Sequence, residues 1–117
     1  MILSIIVPVY NEEKTIIEIL KKIKKNSSDS IKYEVIVIDD GSVDDTRKLL
    51  ENNKDLYQKL IINENNKGKG FSVKKGILNS SGTHIIFQDA DLEYDPSDYS
   101  KFEKIFLEFD ADGIIGS

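Results

Sequence analysis

The chain contains no cysteine, which excludes disulfides and thiolate metal sites. It has a single histidine, His84, so a multi-histidine metal centre is excluded and imidazole catalysis has one candidate. Basic residues are not in excess. The formal net charge is −5, whereas a general nucleic-acid binder needs surplus lysine and arginine to neutralise phosphates; no nucleic-acid partner is expected. No apolar run approaches the roughly 18 residues of a membrane span. The opening Met1-Ile2-Leu3-Ser4-Ile5-Ile6-Val7 is too short for the apolar core and flanks of a signal peptide, and Pro8 follows at once. A cytoplasmic location is the default.

What remains is the composition of one compact domain. The 117 residues suit a single unit, and 39% hydrophobic content is enough for a core. Two kinds of segment alternate. Leu3 to Val7, Tyr33 to Ile38, Lys59 to Ile62, Thr83 to Phe87 and Asp112 to Gly116 read as strands. Between them, Glu12 to Lys25 is expected to be helical, with Ile16, Leu20 and Ile23 on one face. A second helix is expected from an Asp44 or Asp45 cap to about Asn53, with Leu49 and Leu50 inward. A third runs from Gly70 to Asn79, after a polar loop over Asn63 to Lys69. A fourth opens at Pro96, a residue suited to the first helical position, and runs to about Phe109. Near-continuous Val/Ile strands alternating with amphipathic helices predict an α/β fold: a Rossmann-like three-layer α/β/α arrangement with a mainly parallel sheet.

In such sheets ligands bind outside the carboxyl ends of the strands, and the unusual residues fall there. Pro8-Val9-Tyr10-Asn11-Glu12-Glu13 follows the first strand, and Asp39-Asp40-Gly41-Ser42 the second. Asn65-Asn66-Lys67-Gly68-Lys69-Gly70 follows the third, and Gln88-Asp89-Ala90-Asp91-Leu92-Glu93 the fourth. Taken singly, the first three have plain readings. Asn11 could simply cap a helix, and Asp39-Asp40-Gly41-Ser42 could be a turn. The Lys67–Gly70 stretch lacks both common phosphate-loop spacings and reads as a flexible basic loop. Lys74 and Lys75 read as a solvated helix face, and His84, at the start of a strand, as structural. The fourth cluster is the most specific. In an extended backbone residues i and i+2 point the same way, so Asp89 and Asp91 converge and Glu93 continues the pattern. Converging carboxylates call for a hard divalent cation with oxygen ligands.

Ser4-Ile5-Ile6-Val7-Pro8-Val9-Tyr10-Asn11-Glu12-Glu13, Val37-Ile38-Asp39-Asp40-Gly41-Ser42-Val43-Asp44-Asp45-Thr46 and Gln88-Asp89-Ala90-Asp91-Leu92-Glu93-Tyr94-Asp95-Pro96 together resemble the family 2 glycosyltransferases of GT-A fold. The nearest subgroup is that of dolichyl-phosphate mannose synthase and the polyprenyl-phosphate glycosyltransferases. The resemblance implies a UDP- or GDP-sugar donor and a Mg²⁺ or Mn²⁺ ion. By matching position, Pro8, Tyr10 and Glu12 would line the nucleotide pocket, and Ile38 and Asp40 would hold base and ribose. Asp89 and Ala90 would touch the ribose-diphosphate. Asp91 would ligate the metal together with Asp89. Glu93 stands where the subgroup often has a metal-binding Gln, and keeps an oxygen ligand.

The family inverts the anomeric centre, with the cation neutralising charge on the leaving diphosphate. The acceptor would be a lipid phosphate or a glycan. The resemblance also implies a further half-domain beyond Ser117, so the expectation is one apparently truncated donor-binding half, poorly active alone. Its exposed edge would favour self-association as a homo-oligomer. A longer protein would work at the cytoplasmic face of the membrane. Two other readings compete: a receiver-like Mg²⁺-binding signalling domain, and a non-catalytic nucleotide-binding module. A receiver needs a phosphoacceptor aspartate after the third strand, where this chain has Asn63-Glu64.

Overall fold

The computed structural model describes residues 2–27 and 31–88. Four strands alternate with three helices: β1 (Ile2–Val9), α1 (Ile16–Lys25), β2 (Lys32–Asp39), α2 (Thr46–Glu51), β3 (Lys59–Ile62), α3 (Lys69–Leu78) and β4 (His84–Phe87). A single 3₁₀ turn, Lys54–Leu56, lies between α2 and β3. The expected fourth helix from Pro96 and fifth strand from Asp112 lie outside the described residues.

The strands form one sheet in the order β3-β2-β1-β4, and every pairing is parallel. Strand alternation sends side chains to opposite faces, and each face is covered. On one face Leu3, Ile5, Val7 and Val9 of β1 meet Ile16, Ile19, Leu20 and Ile23 of α1 and Leu50 of α2. On the other, Ile6, Ile36, Ile38 and Ile85 pack with Ile77 of α3. The result is the three-layer α/β/α arrangement expected of near-continuous apolar strands. Its α1 stripe is the predicted Ile16, Leu20, Ile23 set with Ile19 added.

Two helix boundaries differ from expectation by more than one residue. Helix α1 begins at Ile16 rather than Glu12, because the preceding residues form a turn in which the Glu12 carbonyl accepts the N–H groups of Thr15 and Ile16 at 3.1 and 2.9 Å. Helix α2 is one residue pair shorter than expected, ending at Glu51. At α1 the acidic residues Glu12 and Glu13 are taken by contacts with the loop after β2 instead.

Register places the functional edge. Val9 pairs with Asp39 and Asp39 with Ile62, so β1, β2 and β3 end level. The first residues beyond them stay in the ladder: Asp40 N–H donates to the Val9 carbonyl at 2.8 Å, and Asn63 N–H to the Asp39 carbonyl at 2.9 Å. Gln88 N–H donates to the Ile6 carbonyl at 2.9 Å, so the chain leaves β4 beside β1 at the same edge.

Helix α3 lies close against the sheet through buried Gly76. A Cβ there would come within 2.7 Å of Ile6 Cγ2 and 2.8 Å of Ile38 Cδ1. Overpacking of this kind costs about 1–3 kcal/mol, more than the roughly 1 kcal/mol that alanine gains over glycine in a helix. Gly76→Ala should therefore lower the urea midpoint of unfolding, although the same change at an exposed helical position would raise it.

Candidate donor-binding edge

The first pillar of the edge is Asp40. It follows β2 directly and is 4% exposed. Its Oδ1 accepts the Asn63 side-chain amide at 2.9 Å and the Lys67 N–H at 2.8 Å, and its Oδ2 accepts the Gly68 N–H at 2.9 Å. The Ser72 hydroxyl also faces the carboxylate. A carboxylate has about four lone-pair sites, and four donors of the chain use them. Burial alone would raise the Asp40 pKa, but the Lys67 N–H, the Asn63 amide, the Gly68 N–H and the Ser72 hydroxyl outweigh it, and the carboxyl sits below its ordinary range.

Asp40, expected to accept hydrogen bonds from a base or ribose, also holds the loop after β3. That loop, predicted to be flexible, is fastened through the N–H groups of Lys67 and Gly68. Gly68 sits at φ 98°, directly before α3, a conformation that favours glycine. Lys75 also departs from a solvated role. Its Nζ donates to Asn63 Oδ1 at 3.2 Å and lies 5.6 Å from the centre of the Phe71 ring. Lys74 is exposed as expected.

Asp39, its neighbour, is fully buried. Its Oδ1 accepts the Ser42 N–H at 2.9 Å and its Oδ2 pairs with Arg47 Nε at 3.4 Å. Gly41 at φ 76° makes the turn between them. A Cβ on Gly41 would stand 2.7 Å from the backbone carbon of Asn65, so the loops after β2 and β3 touch backbone to backbone at this point.

A second set of bonds joins the loops after β1 and β2. Asn11 N–H donates to Ser42 Oγ at 2.9 Å, and Asn11 Oδ1 accepts the Val43 N–H at 2.8 Å. Glu12 N–H donates to Thr46 Oγ1 at 2.9 Å. Glu13 and the aspartates bond reciprocally: Glu13 N–H to Asp44 Oδ2 at 3.4 Å, and Asp45 N–H to Glu13 Oε2 at 3.2 Å. Asp44 Oδ1 also accepts the Thr46 N–H at 2.9 Å. Asp44 thus meets the capping expectation as a local acceptor, whereas Asp45, at the cap position, makes no side-chain cap bond.

The residues predicted for the pocket fall at this edge in different states. Tyr10 is 43% exposed and Glu12 half-buried. Pro8 and Ile38 are buried, and the Ile38 side chain lies in the core beneath α3. Asp89, Ala90, Asp91 and Glu93 lie outside the described residues. Among the described residues, no three His, Asp or Glu side chains gather as a cation site. His84 lies at the amino end of β4, its Nδ1 3.0 Å from Thr83 Oγ1, away from this edge. Asn63 was not anticipated. It lies immediately after β3, and a short polar side chain directly beyond a strand is the signal that could have marked it.

A parallel sheet with three loops interlocked at its carboxyl edge has the Rossmann-like arrangement of the GT-A glycosyltransferases. The sequence model of glycosyl transferase family 2 matches residues 4–117, and the chain belongs to that family. It is 37% identical over 113 residues to a dolichyl-phosphate beta-glucosyltransferase of Dictyostelium discoideum, with 88% of this chain and 35% of that relative covered. The chain thus spans about a third of that relative's length. Among solved structures it resembles Staphylococcus aureus TarS 1-349 in complex with UDP (TM-score 0.75, 28% identity, 92% of this chain and 32% of that one). It also resembles the mannosyltransferase PcManGT of Pyrobaculum calidifontis in complex with GDP-Man and Mn²⁺ (TM-score 0.71, 28% identity, 90% and 32%).

Asp40→Asn puts an amide donor against N–H donors, and leaving buried donors unmatched around a lost charge costs about 2–4 kcal/mol. The pH dependence has a definite sign. The folded-state pKa of Asp40 is lowered, so its stabilisation is full above the unfolded value of about 3.9 and disappears as pH falls through the folded value. Urea midpoints should therefore differ widely between wild type and Asp40→Asn at pH 7 and converge toward pH 3.

Proposed function

We propose that this chain is the donor-binding half of a metal-dependent, inverting glycosyltransferase that moves a sugar from a UDP- or GDP-sugar to a polyprenyl phosphate. The observation that carries the proposal is the match to glycosyl transferase family 2 in a chain whose loops after β1, β2 and β3 interlock at one edge. Similar folds bound to UDP and to GDP-Man with Mn²⁺ support the donor class and the cation. The dolichyl-phosphate relative supports the acceptor class.

In this reading Tyr10, exposed at the head of the loop after β1, offers a ring face to the nucleotide base. Glu12 and Pro8 shape the wall beneath it. Ile38 contributes from the core, by seating the end of β2. Asp40 acts through the loop that it holds. Asp89 and Ala90 would meet the ribose-diphosphate. Asp89, Asp91 and Glu93 would supply only oxygen donors, the chemistry that suits Mg²⁺ or Mn²⁺. The cation, when bound, neutralises charge that grows on the departing diphosphate. A lipid-phosphate acceptor is already anionic and needs little help from a general base.

The receiver-like alternative loses its ground at β3. The position that would carry a phosphoacceptor holds Asn63, 3% exposed and committed to Asp40 and Ser72. The chain, which spans about a third of the dolichyl-phosphate relative's length, should by itself bind nucleotide weakly and transfer sugar poorly.

Calorimetric titration of UDP and GDP, with and without Mn²⁺, checks the reading. Binding should require the ion and fall at least about tenfold in Asp91→Ala, the loss expected when a metal ligand is removed. Metal-independent binding, or binding unchanged in Asp91→Ala, would overturn it.

A further inference from the structure

Asn11 is the one non-glycine residue among those described that has a positive φ, 53°. Asparagine tolerates the left-handed region better than most side chains, yet the conformation still needs support from its surroundings. Backbone held in a sparsely populated region points to a functional constraint. The bonds show what this one accomplishes. The Asn11 N–H reaches Ser42 Oγ at 2.9 Å, while Oδ1 accepts the N–H groups of Val43 at 2.8 Å and Asp44 at 3.4 Å. One residue thus grips three consecutive positions of the loop after β2, with both its backbone and its side chain. It stands directly after Tyr10, and the loop it grips begins at the Asp39–Ser42 turn, itself closed by Asp39 Oδ1 on the Ser42 N–H.

We propose that Asn11 is a positioning residue for donor binding. It ties the loop after β1 to the loop after β2, so that Tyr10 and the Asp39–Ser42 turn form one rigid wall of the nucleotide pocket. The role rests on the donor-nucleotide reading above. Without the Asn11 side chain only the Asn11 N–H, Glu12 and Glu13 bonds join the two loops, so Tyr10 and the Asp39–Ser42 turn are held less firmly, and ordering them would oppose binding.

Three chains separate the parts of this idea: wild type, Asn11→Gly and Asn11→Asp. Glycine keeps the left-handed backbone without strain but removes the side-chain acceptor. Aspartate tolerates the same backbone and keeps an oxygen acceptor. Two measurements are made on each, in about 0.15 M salt to screen the added charge: amide hydrogen exchange without nucleotide, and titration with UDP and GDP in Mn²⁺.

Asn11→Gly should remain folded, exchange the Val43 and Asp44 amides about tenfold faster, and bind nucleotide about tenfold more weakly, the scale of one lost hydrogen-bonded contact. Asn11→Asp should restore both to within about threefold. Wild-type affinity in Asn11→Gly, or affinity lost equally in both variants, would overturn the role. So would faster exchange with no loss of affinity, which marks a structural tie only. If the wild-type chain bound neither nucleotide, the donor reading would fall and this role with it, while the exchange rates would still report on the tie itself.

Discussion

The carboxyl edge of this sheet depends on the Asp40 carboxylate. One buried anion at the end of β2 collects an amide, a hydroxyl and two backbone N–H groups. Remove it, and the loop after β3 loses its anchor, Asn63 loses a partner for its amide, and the start of α3 loses the glycine turn that leads into it. A buried charge is tolerated only where its hydrogen-bonding capacity is met in full. Here the condition is satisfied entirely by groups of one loop and the helix that follows. These bonds fasten the loop despite a composition of Asn, Lys and Gly.

From that anchor the edge is assembled outward. The level ends of β1, β2 and β3 bring three loops to one height. Asp40 fastens the third, Asp39 and Gly41 shape the second, and Asn11 with Glu12 and Glu13 bind the first to the second. Among the exposed side chains of these three loops, Tyr10 is the one aromatic. The chain belongs to glycosyl transferase family 2, and under the proposed donor-binding role the edge would recognise its ligand with stationary groups, for which dense internal bonding is suited. None of the described helices is long and apolar enough to cross a membrane.

Much of this was legible in the sequence. Strand and helix order followed from apolar runs alternating with periodic segments, and the parallel sheet from strands that are apolar on both faces. The location of the edge followed from polar clusters at four strand ends. What the sequence hid were assignments of partner. Asp40 reads the same whether it faces a ligand or a loop, because the pattern Asp-Asp-Gly-Ser does not say which N–H groups will arrive from residues 67 and 68. Asn11 reads as a cap, since its contacts lie more than thirty positions away. The early start expected for α1 failed for a related reason: Glu12 and Glu13 suit a helix locally but are claimed by Thr46, Asp44 and Asp45. Periodicity carries information about layers. Contacts between loops are set by register and reach, which single positions do not display.

The bonds that build the edge span long stretches of chain. Asn11 meets Ser42 and Val43, and Asp40 meets Asn63, Lys67 and Gly68. No hairpin or single helix can form any of them in isolation. Closing such loops costs chain entropy before the contacts can return it, so the edge takes shape only after three strands have paired in register. The edge is therefore a late product of folding. Its presence certifies the pairing of those three strands, and a ligand that favours it would favour the native state over forms in which they have not paired.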